Sequence, residues 1–376
     1  MIFIFSLKNH NYLRMKNENF LTFIKPFERR MTKKVLQVNP TIAPQRKEPE
    51  KTDFFVFEYD AASVQYHHFN TVEDIINFKT SSKNCWINIG GLRREDIDKI
   101  SANFDIHPLI AEDILSSGQR PKMDELNNLM YCLLNMLYFN TECHAVESEQ
   151  ISIVLAPGIV LTFQEEPTRD VFNPLREKIK IAGSKVRESK IDYLFYSLID
   201  LIVDNYFVVM EQLGEKIEDV EEDITKRPDT NTLAKINLLR KEMIFLKRNV
   251  SPVREIINGI LRSETNLVED RTEKYFKDIY DHIVQANELA ENYRDMMINL
   301  QDLYLSNVNL KMNQVMKVMA VVTCLLAPAT VIGGIFGMNF NRIPWLHNPD
   351  GFYIAVGLML IIPIWMIWIF RKRGWF

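Results

Sequence analysis

Cysteine is scarce in this sequence, and its arrangement predicts neither a metal site nor a disulfide framework. The four cysteines show no CxxC spacing and no pairing with histidines. We therefore predict no zinc site and no disulfide-stapled fold, and this usage is typical of a reducing compartment.

Strong net charge and catalytic motifs are also absent. The formal net charge is only -4, whereas a nucleic-acid partner requires a concentrated basic surface. The sequence contains no GxxxxGK[ST], HExxH or GxSxG motif, and its scattered histidines form no recognisable catalytic set. We predict a protein that is not an enzyme, has no catalytic cofactor and does not bind nucleic acid.

Two C-terminal stretches lack charged residues altogether. Val318–Met338 and Phe352–Phe370 contain no Asp, Glu, Lys or Arg. Each is long enough to cross a hydrocarbon core of about 30 Å. The two stretches predict a pair of membrane spans joined by a short loop.

Glycine and proline are missing from a long stretch that runs into the first span. Neither residue occurs from Arg271 to Ala327, which predicts one helix of about 85 Å. Because a bilayer needs only about 30 Å of that length, the remainder is predicted to form a stalk toward a soluble domain.

Upstream of the helical region, short β-rich runs alternate with helical stretches. Gly90-Gly91 and Pro157-Gly158 supply turn signals, and the second predicts a hairpin between two apolar strands. Helices are predicted at Leu92–Phe104 and Val171–Ala182. The predicted strands are Phe54–Tyr59, Cys85–Ile89, Met130–Phe139, Ile151–Leu155 and Ile159–Phe163. This alternation is typical of an α/β domain.

These patterns divide the chain into seven segments. Breaks are predicted within the helical region at Arg227-Pro228-Asp229 and Ser251-Pro252. The predicted segments are a disordered tail (1–51, with Met31 as an alternative start), a cytoplasmic α/β domain (52–189), a helical stalk region (190–312), a first transmembrane helix (313–340), an external loop (341–351), a second transmembrane helix (352–370) and a cytoplasmic basic tail (371–376).

An acidic run lies in the helical region. Such a run attracts cations or simply forms a solvated helix face; the solvated face is the commoner case, and the sequence leaves both open. The residues are Glu211, Glu215, Glu218, Asp219, Glu221, Glu222 and Asp223.

Basic residues at the span ends predict the orientation in the membrane. Arg371-Lys372-Arg373 follows the second span, and Lys311 and Lys317 flank the start of the first. Positive charge favours the cytoplasmic side. We therefore predict a multi-pass protein of the cell (inner) membrane with both termini in the cytoplasm.

Small and polar residues form a stripe along the first span. They recur at three- and four-residue steps and therefore share one helix face. Such a stripe favours close helix packing or lines a pore, and a pore would require an oligomer because one hairpin cannot enclose it. The residues are Asn313, Met316, Met319, Thr323, Ala327, Thr330 and Gly334.

The first span ends in Gly337-Met338-Asn339. Glycine can unwind a helix terminus, and the Asn339 amide offers a neutral oxygen acceptor. Because Mg²⁺ holds its hydration water tightly, a ring of neutral acceptors suits the hydrated ion better than carboxylates that would trap it. The segment is therefore interpreted as an entrance filter of an oligomeric pore.

With Phe336-Gly-Met-Asn-Phe340 in this position, the sequence resembles the CorA family of magnesium transporters, whose hallmark is an aromatic-Gly-Met-Asn-Phe segment at the end of the first of two C-terminal spans. The resemblance covers nearly everything after Asp53. Further matching segments are Asn313–Val318, Pro328, Tyr275–His282, Ile106–Leu109, Glu112–Leu115, Gln119–Lys122 and the basic C-terminal end.

The resemblance implies a funnel-shaped homopentamer that moves divalent cations, with Mg²⁺ as both substrate and regulatory ligand. By motif matching, Gly337–Asn339 forms the selectivity filter and the stripe from Asn313 to Gly334 lines the pore. Asp302 is expected near the cytoplasmic pore mouth. Asp113 and Asp278 are expected to bind regulatory Mg²⁺ between neighbouring subunits.

The external loop departs from the family pattern. Family loops commonly read Met-Pro-Glu-Leu, whereas this chain has Ile343-Pro-Trp-Leu346 preceded by Arg342, and Asp350 is its only acid. Long-range attraction of cations should therefore be weaker. The sequence leaves two choices for the transported ion. One is Mg²⁺, with Co²⁺ or Ni²⁺ as secondary ions; the other is Zn²⁺, moved with proton coupling as in the ZntB-like branch. A membrane-anchored sensor or tether is disfavoured by the small loop and by the lack of an output-domain motif.

Overall fold

The computed structural model describes most of the chain from Pro49 onward. Nearly all of the predicted tail 1–51 lies outside the described residues, as do Arg227-Pro228 and most of the loop 341–351. Asn339 also lies outside them. The described residues are 49, 51–126, 128–142, 145–166, 169–226, 229–338 and 349–375.

An α/β domain forms the first part of the described chain, as the sequence predicts. Its strands are β1 (Asp53–Tyr59), β2 (Val64–Phe69), β3 (Asn84–Gly90), β4 (Lys122–Leu126), β5 (Leu129–Asn140), β6 (Ala145–Ala156) and β7 (Ile159–Gln164). Its helices are α1 (Val72–Ile76), a 3-10 helix (Asn77–Thr80), α2 (Arg94–Phe104), α3 (Pro108–Leu115), α4 (Asn173–Lys180) and α5 (Lys185–Glu188).

Five further helices follow. They are α6 (Ile191–Lys226), α7 (Thr230–Val250), α8 (Val253–Arg262), α9 (Asp270–Phe336) and α10 (Gly351–Lys372). The break predicted at Ser251-Pro252 separates α7 from α8, because proline cannot continue the helical hydrogen bonding. The helix predicted from Arg271 to Ala327 is confirmed, and α9 continues to Phe336.

The seven strands form one sheet in the order β2-β1-β3-β7-β6-β5-β4. Every neighbouring pair is antiparallel except β3 and β7, which are parallel. The predicted hairpin between β6 and β7 is confirmed, with Ala156 opposite Ile159. Gly158 closes it at a φ of 79°, a conformation that costs a glycine little because it has no Cβ atom.

Helices α2 and α3 pack on the sheet. α2 buries Ile97, Ile100 and Phe104, whose spacing places them on one helix face. Ile110 and Ile114 of α3 belong to the same apolar core as residues of β1, β3, β5 and β7. Because burial of each such side chain is worth about 1.5–3 kcal/mol, these contacts hold both helices against the sheet.

Helix α6 packs on β5. The Tyr206 hydroxyl donates a hydrogen bond to the Asn135 carbonyl (2.9 Å), and the Asn205 amide donates to the Leu137 carbonyl. Among the described residues, three helices, α6, α9 and α10, are long and apolar enough to cross a membrane. In the most apolar stretch of α6, however, 56% of residues are buried inside the protein, against 6% in α9 and 0% in α10. α6 is therefore a core helix, and the apolar surfaces of α9 and α10 are left for lipid or other chains.

The chain divides into two compact units. The first comprises residues up to Val220 together with Ala234–Ile298, and it contains the sheet. The second comprises Glu221–Leu233 and the residues from Asn299 onward, and it contains both apolar spans. Helix α9 contributes residues to each.

Candidate functional site

The predicted stripe on the first span lies on an open face of α9. All seven residues from Asn313 to Gly334 are exposed in the single chain, with Met316 53% and Met319 63% accessible. Val321, by contrast, is buried in the second unit. The stripe is therefore available to face a pore axis or a second chain.

The two threonines of the stripe present acceptor oxygens. The Thr323 hydroxyl donates to the Met319 carbonyl (2.9 Å), and the Thr330 hydroxyl donates to the Leu326 carbonyl (3.0 Å). Because each hydroxyl proton is committed within the helix, the lone pairs of the threonine oxygen point outward. Such oxygens can accept hydrogen bonds from the water shell of a hydrated cation without adding charge.

Ala327 has a second environment. It borders an apolar recess of about 450 Å³ between α9 and α10. The recess is lined by Cys324, Ala327, Pro328, Val331, Ile332, Ile362 and Met366. Ala327 thus lies at the edge of the predicted stripe rather than at its centre.

Asp302 lies on the same face of α9 as Asn313. The two residues are 11 positions apart, which is close to three helical turns. Asp302 is exposed in the second unit. The Asp302 carboxylate therefore extends the stripe toward the N-terminus of α9.

Gly337 terminates α9 under steric constraint. Its amide donates to the Gly333 carbonyl (2.9 Å), and the Met338 amide donates to the Ile335 carbonyl (3.3 Å), so the last turn tightens from α toward 3-10 geometry. A Cβ atom at Gly337 would lie 3.0 Å from the Gly333 oxygen. A larger residue would therefore require the Gly333 carbonyl to move by a few tenths of an ångström. Asn339, the third residue of the predicted filter, lies outside the described residues.

Asp113 and Asp278 have different surroundings within one chain. The Asp113 carboxylate, at the end of α3, forms an ion pair with Lys122 of β4 (2.5 Å) and is only 15% exposed. Asp278 is exposed on α9.

A cluster of two aspartates and a histidine, which the sequence analysis did not find, lies next to Asp278. Asp200 and Asp204 of α6 and His282 of α9 place one possible ligand atom each within 4.8 Å of one another. The His282 Nδ1 atom is 3.9 Å from the Asp204 carboxylate, too far for a hydrogen bond. Two carboxylates and an imidazole can together bind a divalent cation.

Burial shapes the electrostatics of this cluster. Burial, together with the negative charges of Asp204 and Asp278, raises the pKa of Asp200 to about 6, against the opposing effects of Tyr196 and His282. A divalent cation would relieve this repulsion, because it favours the ionised form of each carboxylate. The i, i+4 spacing of Asp200 and Asp204 was the available sequence signal, but His282 joins them only through the packing of α6 on α9.

Uncharged spans with a polar stripe, joined to a soluble domain that carries acidic clusters, define a membrane protein of the ion-transport class. The family described as "CorA-like Mg2+ transporter protein" matches residues 81–372. The chain belongs to this family.

Individual relatives agree with this assignment. The chain is 37% identical over 328 residues to the cobalt/magnesium transport protein CorA of Thermotoga maritima, covering 86% of this chain and 93% of the relative. The zinc transport protein ZntB of Yersinia pseudotuberculosis is more distant, at 19% identity over 79% of this chain and 89% of its own length. The complete CorA structure from Methanocaldococcus jannaschii matches the fold with a TM-score of 0.70, at 22% identity, covering 86% of this chain and 98% of that one.

Proposed function

We propose that this chain is one subunit of a homopentameric channel that carries Mg²⁺, and secondarily Co²⁺, across the cell membrane. The observation that carries the proposal is the exposed stripe of neutral oxygens and small residues on α9, in a span without charge, ending at Gly337-Met338. Membership of the CorA-like family, and the greater identity to a cobalt/magnesium transporter than to a zinc transporter, favour Mg²⁺ and Co²⁺ over Zn²⁺.

Neutral oxygens suit a strongly hydrated ion. Removing the water shell of Mg²⁺ is costly, so an ion that keeps its waters passes a surface that accepts hydrogen bonds from them. A carboxylate in the span would instead hold the ion. In the proposed ring of subunits, Thr323 and Thr330 supply such acceptors along the pore, and Asn339 supplies the selectivity ring at its entrance.

Cytoplasmic Mg²⁺ is proposed to regulate the channel through the acidic clusters of the first unit. Asp113 and Asp278 of neighbouring subunits would share one ion, and Asp200, Asp204 and His282 offer further ligands beside Asp278. When the ion leaves, repulsion among the carboxylates loosens the contact between subunits. Both termini face the cytoplasm in this proposal, so the acidic clusters respond to the cytoplasmic Mg²⁺ concentration.

Ion flux into vesicles tests the proposed substrate. Purified full-length protein in proteoliposomes is expected to admit Mg²⁺ and Co²⁺ without a pH gradient, as read by a trapped metal-sensitive dye, while protein-free vesicles show none. Entry of Zn²⁺ alone, and only with a proton gradient, would establish the zinc alternative and refute the proposal.

A further inference from the structure

The C-terminal end of α10 is built into a fixed basic structure. Gly374 reverses the chain at a φ of 71°. The Trp375 amide donates a hydrogen bond to the Phe370 carbonyl (2.9 Å), and the Gly374 amide donates one to the Arg371 carbonyl (3.2 Å). These bonds have the pattern of a Schellman motif. The Trp375 ring stacks on Phe370 at 5.3 Å, so Arg371-Lys372-Arg373 is held in the last helical turn.

A cation of the first span joins this cluster. The Lys317 ammonium donates to the Gly374 carbonyl at 3.1 Å, which links the start of the first span to the C-terminal end of α10 in the second unit. We call Lys317, Arg371, Lys372 and Arg373 the basic collar. The collar thus contains four positive charges, and Arg371, Lys372 and Arg373, at the C-terminal end of α10, are exposed.

Aromatic rings accompany these charges. The Lys372 ammonium lies 5.4 Å from the centre of the Trp368 ring, and Trp368 and Trp375 are 60% and 41% exposed. Indole rings favour the headgroup level of a bilayer, where one edge is apolar and the other is hydrated. The rings therefore place the basic collar at the depth of lipid phosphate groups.

The collar has no local acidic partner. The sequence contains no Asp or Glu from 303 to 349 or from 351 to 376. Among the described residues of the second unit, Asp302 lies 15 residues before Lys317 on α9, Asp350 lies at the opposite end of α10, and the remaining acids are Asp229 and those at the end of α6. The end of α6 is held to α9 by the Asn307 amide, which donates to the Ile224 carbonyl (3.4 Å). Asn307 precedes Lys317 by ten residues, about 15 Å along the helix, which exceeds the screening length of about 8 Å in physiological salt.

From this geometry we infer that the basic collar is a binding surface for the phosphate groups of anionic phospholipids in the inner leaflet. Charge complementarity, the aromatic rings and the absence of a local acid all favour a lipid over a protein partner. The positive-inside rule alone would account for the presence of the charges, but not for their assembly around one capped helix end. The inference does not rest on which ion is transported.

Quenching of tryptophan fluorescence by brominated lipids tests this inference. Full-length protein is reconstituted into symmetric vesicles of phosphatidylcholine with increasing phosphatidylglycerol, and bromine is placed on the acyl chains of one lipid at a time. In a W345F/W365F background, which leaves only buried Trp86 elsewhere, Trp368 and Trp375 then report which lipid lies beside the collar. Because both leaflets have the same composition, the readout does not depend on the direction of insertion.

The wild-type protein is expected to bind phosphatidylglycerol more tightly than phosphatidylcholine, and the preference should decline with added salt. The variant R371Q/K372Q/R373Q should lose most of it, at about fivefold for each cation removed. The charge-conserving variant R371K/K372R/R373K should keep it. Neutralising three cations of the first unit, in K178Q/K180Q/R262Q, should leave it unchanged.

Two results would overturn the inference. One is an equal affinity of the wild-type protein for both lipids at low salt. The other is a preference that R371Q/K372Q/R373Q keeps in full. If the first result holds and a preference appears in E221Q/E222Q, the acids at the end of α6 are the collar's partner. Failure of the wild-type protein to admit Mg²⁺ would count against the proposed function and not against this inference, because the lipid preference is measured without flux.

Discussion

Glu242 is a buried carboxylic acid whose charge the fold disfavours. Its side chain is only 1% exposed on α7, and one carboxylate oxygen accepts a hydrogen bond from the Val146 amide at the start of β6 (2.8 Å). The other oxygen has no partner among the described residues. Burial raises the pKa of Glu242 to about 7, against the opposing effects of the Val146 amide and Lys241.

This raised pKa makes stability depend on pH. The folded protein holds the Glu242 proton up to about pH 7, whereas the unfolded chain releases it near its ordinary value of 4.5. The free energy of unfolding should therefore fall as the pH rises from about 4.5 to 7, and then level off. The loss should be on the order of 3 kcal/mol.

We expect Glu242→Gln to flatten this dependence. The amide keeps an acceptor for the Val146 amide but cannot ionise. The melting temperature of full-length protein in detergent, followed at pH 5 and pH 7.5, should fall less in this variant than in wild type. Glu255→Gln, at an exposed site on α8, should behave like wild type. A wild-type melting temperature that rises with pH in this range would contradict the assignment.

At the scale of single elements, the end of α9 depends on Gly337. Replacement by Ala puts a Cβ atom 3.0 Å from the Gly333 carbonyl, so the helix end and the filter residues after it must shift. We expect Mg²⁺ flux in proteoliposomes to drop on the order of tenfold, the equivalent of about 1.4 kcal/mol of strain.

A glycine on the other span provides the matched control for this change. A Cβ atom at Gly357 of α10 would meet nothing within 4 Å. Gly357→Ala should therefore keep wild-type flux. Equal activities of the two variants would show that the close approach at Gly337 is unimportant.

Elements were predictable from the sequence where one local signal determined them. The uncharged runs identified both spans, the lack of glycine and proline identified α9, and Pro157-Gly158 identified the β6–β7 hairpin. β2 and β4 were missed because they are edge strands of mixed polarity, and their sequences VQYHHF and KMDEL lack a continuous apolar face. The parallel pairing of β3 with β7 has no local signal, because the paired strands lie more than 65 residues apart in the chain.

The candidate site was predictable to a similar extent. A helical period determines which residues share a face, and the stripe on α9 followed from it. The cluster of Asp200, Asp204 and His282 could not be found this way, because tertiary packing joins two helices that are distant in sequence. The sequence also did not indicate that Lys122 pairs with Asp113, because Asp113 lies on a helix and Lys122 on a strand, and no single period relates the two.

At the scale of the whole molecule, internal Mg²⁺ should close the proposed channel through contacts between subunits. The double variant Asp113→Ala, Asp278→Ala removes the proposed shared ligands. We expect its inhibition curve, measured as flux against internal Mg²⁺, to shift to higher concentration on the order of tenfold. The control Asp98→Ala, Glu255→Ala removes two exposed acids elsewhere in the first unit. An unshifted curve in the Asp113, Asp278 variant would contradict this sensor assignment.

The central claim is that the stripe on α9 lines a water-filled path for the ion. Its most direct test is the reaction of single cysteines with a charged, membrane-impermeant thiol reagent during Mg²⁺ flux, in a Cys324→Ala background. Thr323→Cys and Thr330→Cys lie on the stripe, whereas Val322→Cys and Val331→Cys lie beside it on exposed apolar positions. We predict that the reagent blocks flux through the two threonine-site variants and spares the two valine-site variants; block of the valine-site variants alone, or of none, would contradict the account.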